Sequence, residues 1–412
     1  MSVTESTAGG PLPGDAEAIR LDFDSPDFLA DPYPLYHRLR AADPVHRSPW
    51  GDWYLTRYAD VAMALSDPRF CRESPGGSNP LSREQRESTA LDRMMTMWMI
   101  YRDPPAHTRL RGLVNTAFTP QMVEGLRPRI ENIVGDLLDD VQDAGSMDII
   151  ADLAYPLPVI VISEMLGVPV ADRELLKGWS HRLAEALDTG VTEDLAGGVP
   201  VTVELTAYFR DLVAEKRKRP TDDLISSLIA AEAEGDTLSG EELLATCVLI
   251  LLTGHETTKN LIGNGLLALL RNPRQLQKLN DDSGLIKTAV EELLRYDSPV
   301  QKMSRWTTED IKIGDKTIPE GHLVVSLLGA ANRDPEQFFD PDRLDITRRH
   351  GAHVAFSRGI HTCLGAPLAR IEGPIAIGAV LRRMPRLALQ EDGLEWQKTT
   401  SLRGLERFRV SF

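Results

Sequence analysis

Residues 356–365 read Phe356-Ser357-Arg358-Gly359-Ile360-His361-Thr362-Cys363-Leu364-Gly365. A single cysteine stands among two glycines, with an aromatic residue before it and Pro367 just after it. Gly359 permits a tight turn where a Cβ would clash. Phe356 is placed to cover the sulfur and keep water off it. Pro367 suits the first turn of a helix running on from the loop. Such a helix points the positive end of its dipole at Cys363 and favours a thiolate. A buried structural cysteine in a Gly-containing loop is the plain alternative, and lone cysteines are usually that.

The rest of the chain narrows the choice. With 412 residues, 42% hydrophobic and 26% charged, it has the composition of a soluble globular protein with a large core. The net charge of −15 disfavours nonspecific binding to nucleic acid or an anionic membrane. Cys71, Cys247 and Cys363 cannot all pair and form no disulfide framework, so a reducing cytoplasm is expected. Glu5, Asp15 and Glu17 make the N-terminus acidic, unlike a signal peptide. The apolar run near Leu243–Leu252 is too short to span a bilayer. Residues 1–20, rich in Gly, Pro, Ser, Thr and Ala, predict a disordered tail. No shift in composition divides residues 21–412.

Local patterns place the elements. Asp31–Arg40 predicts a helix, Trp50–Tyr54 a hairpin turning at Gly51–Asp52, and residues 72–90 a long loop. Met94–Tyr101 holds four methionines, which suit either a core helix or an apolar pocket wall. His107 and Arg111 are four apart and share a helix face. Residues 121–235 have helical periodicity, with breaks expected at Leu157–Pro158, Gly167–Pro169, Gly197–Pro200 and Arg219–Pro220. Ser239 and Glu242 form a capping box, and no proline follows until after Asn272. That predicts a helix of roughly 50 Å. Its middle reads Thr253-Gly254-His255-Glu256-Thr257-Thr258, where Thr257 can bond back to the carbonyl of Thr253 and loosen the helix. Gly263–Ala268 mimics a dinucleotide fingerprint but follows no strand, and His255-Glu256 begins a zinc motif whose second His is replaced by Lys259. Glu292 and Arg295 form an i,i+3 ion pair. Ile311–Ile318 predicts a hairpin and Val324–Leu328 a strand.

The Cys363 loop, Thr253–Thr258, Glu292–Arg295 and Asp103–Arg111 together resemble the motifs of the cytochrome P-450 superfamily, in the soluble bacterial type. The resemblance implies a mainly α fold with a smaller β region: one triangular domain with heme between the long central helix and the Cys loop. It implies heme b, iron protoporphyrin IX, with Cys363 as the iron's axial ligand, since a thiolate favours O–O cleavage. His107, Arg111 and Arg305 would hold the propionates, and Phe356 and His361 would contact the cofactor. Glu256 and Thr257 would deliver protons to the distal oxygen. The Glu292–Arg295 pair would be completed by Arg343 of Pro341-Asp342-Arg343-Leu344, where Leu replaces the usual Phe. Met95, Met99, Leu249, Thr253, Val300 and Leu402 would face an apolar substrate. Many relatives carry Gly at Ser357, and Ala or Gly at Thr253. The Thr253 hydroxyl either back-bonds within its helix or holds substrate or water.

The implied reaction inserts one atom of O₂ into an apolar organic molecule, a secondary metabolite or xenobiotic, by hydroxylation or epoxidation. With no flavin or iron–sulfur module in the chain, a separate ferredoxin and ferredoxin reductase would supply electrons, docking near Arg102, Arg109 and Arg358. A peroxide-driven peroxygenase and a non-catalytic heme sensor are the alternatives. A sensor would not need the Glu256–Thr257 pair and peroxide-driven variants often lose it, so its presence favours the monooxygenase.

Overall fold

The Ser239 hydroxyl accepts the Glu242 N–H at 3.2 Å, and the Glu242 carboxylate accepts the Ser239 N–H at 2.8 Å. This reciprocal cap starts a helix that runs Gly240–Arg271 without interruption and ends at Asn272. Residues on all its faces are buried, from Leu243 to Leu269, as expected of a helix that is apolar all round. We refer to it as the central helix. The computed structural model describes residues 21–74, 89–188, 192–232, 236–349 and 351–412. The tail expected over 1–20 and most of the loop expected over 72–90 lie outside them.

Helices Pro156–Leu166, Thr192–Lys218, Ile286–Tyr296 and Ala366–Arg383 pack on the central helix. Their apolar faces build one large core with Leu, Ile and Val side chains, each contributing roughly 1.5–3 kcal/mol by leaving water. A five-stranded sheet lies beside it. Its order is Val45–Arg47, Trp53–Leu55, Leu323–Leu327, Lys302–Thr307, Phe70–Cys71. Only the Trp53–Leu55 and Leu323–Leu327 pair is parallel. A second sheet joins Ser146–Asp148 to the C-terminal hairpin Ala388–Trp396 and Leu405–Ser411. Ile311–Ile313 and Lys316–Ile318 form the expected hairpin, turning at Gly314.

Two expected breaks are not breaks. Pro158 sits in the first turn of its helix, where a missing N–H costs little. Pro200 lies inside Thr192–Lys218, where the buried side chains of Val201, Leu205 and Phe209 outweigh one lost hydrogen bond. The other two hold: Gly167 closes its helix with φ +74°, and Lys218 ends the helix before Pro220. Among the described residues no helix is long and apolar enough to cross a membrane.

Candidate active site

The Cys363 loop is pinned from both ends. The Cys363 N–H donates to the Phe356 carbonyl at 2.9 Å, and Ala366–Arg383 begins directly after Gly365. Ser357 and Gly359 both adopt left-handed backbone, with φ +61° and +71°. A Cβ on Gly359 would lie 2.6 Å from the carbonyl oxygen of Leu65. Glycine is therefore required there by the close approach of helix Tyr58–Ser66, which the sequence did not reveal. Ser357 takes its conformation at the modest cost a non-Gly residue meets there. Phe356 is partly buried, with the Arg370 guanidinium 4.5 Å from its ring centre. Cys363 is exposed by surface area, yet the atoms packed about its sulfur still push the thiol pKa up. The N–H groups of Gly365 and Ala366 and the charge of Arg111 oppose that rise.

A cluster of arginine and histidine side chains converges beside this loop. His107 is buried on helix Ala106–Ala117, and its ring centre lies 4.3 Å from that of His361. Arg111 follows one turn later, and Arg305 enters from strand Lys302–Thr307. Arg72, which sequence reasoning missed, arrives from the end of Phe70–Cys71 and donates to the carbonyls of Ile100 and Ser304. Both ring nitrogens of His107, Nε2 of His361 and Nη2 of Arg305 have no hydrogen-bond partner. Burial and the charges of Arg305, His107, Arg72 and Arg111 push His361 down to about 3. Burial and Arg72 push Arg305 down to about 9, with Asp103 opposing. Asp103 itself accepts the backbone N–H groups of Arg72 and Glu73. Buried donors in such excess are costly unless an anion meets them. Their number and sign fit the two propionates of heme b, beside a cysteine able to ligate iron.

On the central helix, the Thr253 hydroxyl donates to the Leu249 carbonyl at 2.8 Å. The Thr257 hydroxyl reaches the Thr253 carbonyl only at 3.5 Å. Glu256, expected to deliver protons with Thr257, is buried and paired within its own helix. It is 6% exposed, with Lys259 Nζ 2.6 Å from Oε2 and His255 Nε2 3.4 Å from Oε1. Gln397, from the C-terminal hairpin, approaches Oε2 at 3.5 Å. Burial pushes the Glu256 carboxyl up, but His255 and Lys259 outweigh it and hold the group well below the usual carboxylate range.

The expected third arm of the Glu292–Arg295 network needs correction. Both residues are fully buried and joined at 2.8 Å. The arginine that completes them is Arg348, whose Nε donates to both Glu292 oxygens at 3.1 Å. Arg343 turns its side chain outward to Asp345 and Asp340 and supplies only its carbonyl. The Pro341 and Arg343 carbonyls point inward to Arg295, which leaves the Arg343 side chain on the outer surface.

Of the expected substrate contacts, Val300 and Leu402 meet through a backbone bridge, and Leu249 and Thr253 through their hydrogen bond. Met94 and Met99 are buried in the core, and Met95 and Met97 are half-buried against it. Met94 and Met97 also line a cavity of about 670 Å³ with Val203, Arg210 and Leu244. Arg102 pairs with Glu73 and Arg109 with Glu242, while Arg358 donates to the Tyr58 hydroxyl.

Comparison with known proteins agrees with this arrangement. The family described as "Cytochrome P450" matches residues 201–401. Cytochrome P450 107B1 of Saccharopolyspora erythraea is 44% identical, over 93% of this chain and 95% of its own length. The vitamin D(3) 25-hydroxylase of Pseudonocardia autotrophica is also 44% identical, over 95% and 96%. The crystal structure of P450BioI with a hexadec-9Z-enoic acid-ligated acyl carrier protein superposes with a TM-score of 0.88 at 41% identity, covering 94% of this chain and all of that one. With relatives so similar along nearly the whole chain, and a cationic cradle beside a cysteine loop, this protein belongs to the cytochrome P450 family and is a heme b monooxygenase.

Proposed function

We propose that Cys363 is the axial ligand and that His107, Arg111, Arg305 and His361 hold the heme carboxylates, with Arg72 as a further donor. The unpartnered buried donors of that cluster carry the assignment. Phe356, braced by Arg370, backs the ligand loop. The bound heme supplies O₂ binding and its reductive splitting, so that one oxygen atom enters the substrate and the other leaves as water. The chain's part is to hold the substrate, exclude water and move protons. Glu256 carries the proton supply, and Thr257, whose back-bond is long, leaves its hydroxyl free to pass protons on. Thr253 spends its hydroxyl on Leu249 and narrows the space by its bulk. Val300, Leu402, Leu249, Met95 and Met99 present apolar surface to the substrate. Relatives named for vitamin D(3) hydroxylation and for a bound fatty acyl chain point to a large apolar molecule. A ferredoxin and its reductase deliver electrons in the cytoplasm. Arg358, whose bond goes to a hydroxyl and not to a carboxylate, is the strongest of the three docking cations. Residues 21–412 act as one catalytic unit.

The ligand assignment is tested by spectroscopy. Cys363→His should move the absorption band of the reduced, CO-bound protein away from the position that names the family. An unchanged band removes Cys363 from the site.

A further inference from the structure

Glu292 turns inward from helix Ile286–Tyr296, and its neighbour Glu291 turns another way, as adjacent helical residues must. Three donors meet the Glu291 carboxylate. Nε and Nη2 of Arg370, on helix Ala366–Arg383, bond its two oxygens at 2.7 and 2.9 Å. His353 Nε2 lies 3.1 Å from Oε2. The Nδ1 of His353 accepts the Ala355 N–H at 3.2 Å, which a protonated imidazole could not do. Nε2 therefore carries the ring's hydrogen, and His353 adds no charge. Burial raises the Glu291 carboxyl, but the bonds from His353 and Arg370 outweigh it and bring it down to about 2. The guanidinium that binds this anion by its edge lies 4.5 Å from the Phe356 ring centre. The His353 ring packs on the same phenylalanine at 5.9 Å. The Phe356 carbonyl in turn accepts the Cys363 N–H. Arg370 is nearly half-exposed, and such ion pairs contribute little to stability. Its charge has a second use: Arg111 and Arg370 both favour a Cys363 thiolate, and only Arg111 belongs to the propionate cluster.

We propose that the Glu291–Arg370 pair sets the reduction potential of the heme, with Arg370 as a positioning residue that holds positive charge on Phe356, beside the ligand loop. This rests on the assignment of Cys363 as the axial ligand. Reduction adds one negative charge to the iron and its thiolate, and the electron is one the monooxygenase already receives. A cation fixed near the sulfur favours the reduced state, and an anion opposes it. Glu291 does two things at once. Its bidentate bond fixes the guanidinium on the ring, and its own charge offsets part of the guanidinium's effect. The two residues therefore pull the potential in opposite directions, Arg370 upward and Glu291 downward. A brace that only shaped the loop would have no such sign.

The test is a dye-coupled redox titration of the substrate-free, heme-loaded protein, which needs no partner protein and no turnover. Arg370→Leu leaves the Glu291 charge unbalanced and should lower the potential. Glu291→Gln leaves the guanidinium unbalanced on the ring and should raise it. Each shift should be roughly three- to tenfold in the ferric–ferrous equilibrium, or about 30–60 mV at 59 mV per tenfold for one electron. The Glu291→Gln/Arg370→Leu double variant should fall between the two, and high salt should shrink both shifts. Should Arg370→Leu not accumulate, Arg370→Gln, which keeps a polar, planar tip without charge, replaces it. Unmoved potentials in both single variants overturn the proposal and leave the pair a brace. Shifts of the same sign in both overturn it too, since loop geometry and not charge would then set the potential. Failure of the ligand assignment shows separately: the wild-type reduced, CO-bound band would lie away from the position that names the family, and the proposal would fall with it.

Discussion

His107 and Arg305 are buried nearly as deeply as Glu292 and Arg295, but the two pairs are built differently. Around Glu292, acceptors and donors close on one another: Arg295 and Arg348 on its oxygens, the Asp345 N–H beside them, and five carbonyls on the two arginines. Around His107, one imidazole packs on another, and four donor or ring atoms have nothing to bond. Burial is nearly the same; satisfaction is not. A satisfied knot stabilises the chain by itself. An unsatisfied one of a single sign is completed by something that is not polypeptide. The contrast separates structural charge from ligand-binding charge without appeal to position in the sequence.

Breaking the satisfied knot should have the largest effect. Glu292→Ala strands two buried guanidinium groups, and losing one member of a buried pair typically costs about 3–5 kcal/mol. Thermal unfolding should fall by many degrees, with or without heme. The arms of the knot rank themselves. Arg348→Ala should cost about 2–3 kcal/mol, as charge-assisted bonds do, and Arg343→Ala, an exposed pair, below about 1 kcal/mol. Equal effects at 343 and 348 would contradict the geometry.

The unsatisfied cluster should answer differently. Arg305→Leu removes a buried cation that already lacks a partner at Nη2, so stability without heme should hold or rise slightly. Heme affinity should fall, by about 1.5–3 kcal/mol if one charge-assisted hydrogen bond is lost, or about ten- to a hundred-fold. Heme transfer to an acceptor protein measures it. A variant that unfolds easily yet keeps heme as tightly as before reverses the comparison.

What was legible in the sequence follows the range of the interaction. The Ser239–Glu242 cap, the Gly167 stop and the His107–Arg111 face are local, and all are found where the residues place them. Arg348 and Arg72 were missed because their partners lie far along the chain, Glu292 in one case and the Ile100 and Ser304 carbonyls in the other. Propensity misplaced Pro200 because tertiary burial overrode it. Lys259 was visible but read only as a failed zinc motif. Its meaning depends on burial, and burial depends on which helices pack against it.

Glu372 marks a third way to bury a charge, which is to neutralise it. It lies on helix Ala366–Arg383 against the central helix, 1% exposed, and neither oxygen makes a hydrogen bond of normal geometry. Burial pushes its carboxyl up to about 8, and the nearby Thr258 hydroxyl opposes this without cancelling it. The sign follows from proton counts. Below the unfolded value near 4.5, both states hold the proton and nothing changes. Between there and about 8, the unfolded chain gives up its proton while the folded chain keeps it, so stability falls as pH rises. Full ionisation above that window adds no further slope. Glu372→Gln keeps the shape and removes the titration, so its stability should be flatter across the window and higher than the wild type's at pH about 8. The gain should be of order 1–2 kcal/mol, given about 1.4 kcal/mol per pH unit at the steepest and relaxation around the site. At pH about 4 the two proteins should unfold at the same temperature. Parallel stability curves from pH about 5 to 8 would mean that Glu372 has a partner after all and belongs with Glu292. A variant less stable throughout would place it with the groups whose charge the fold requires.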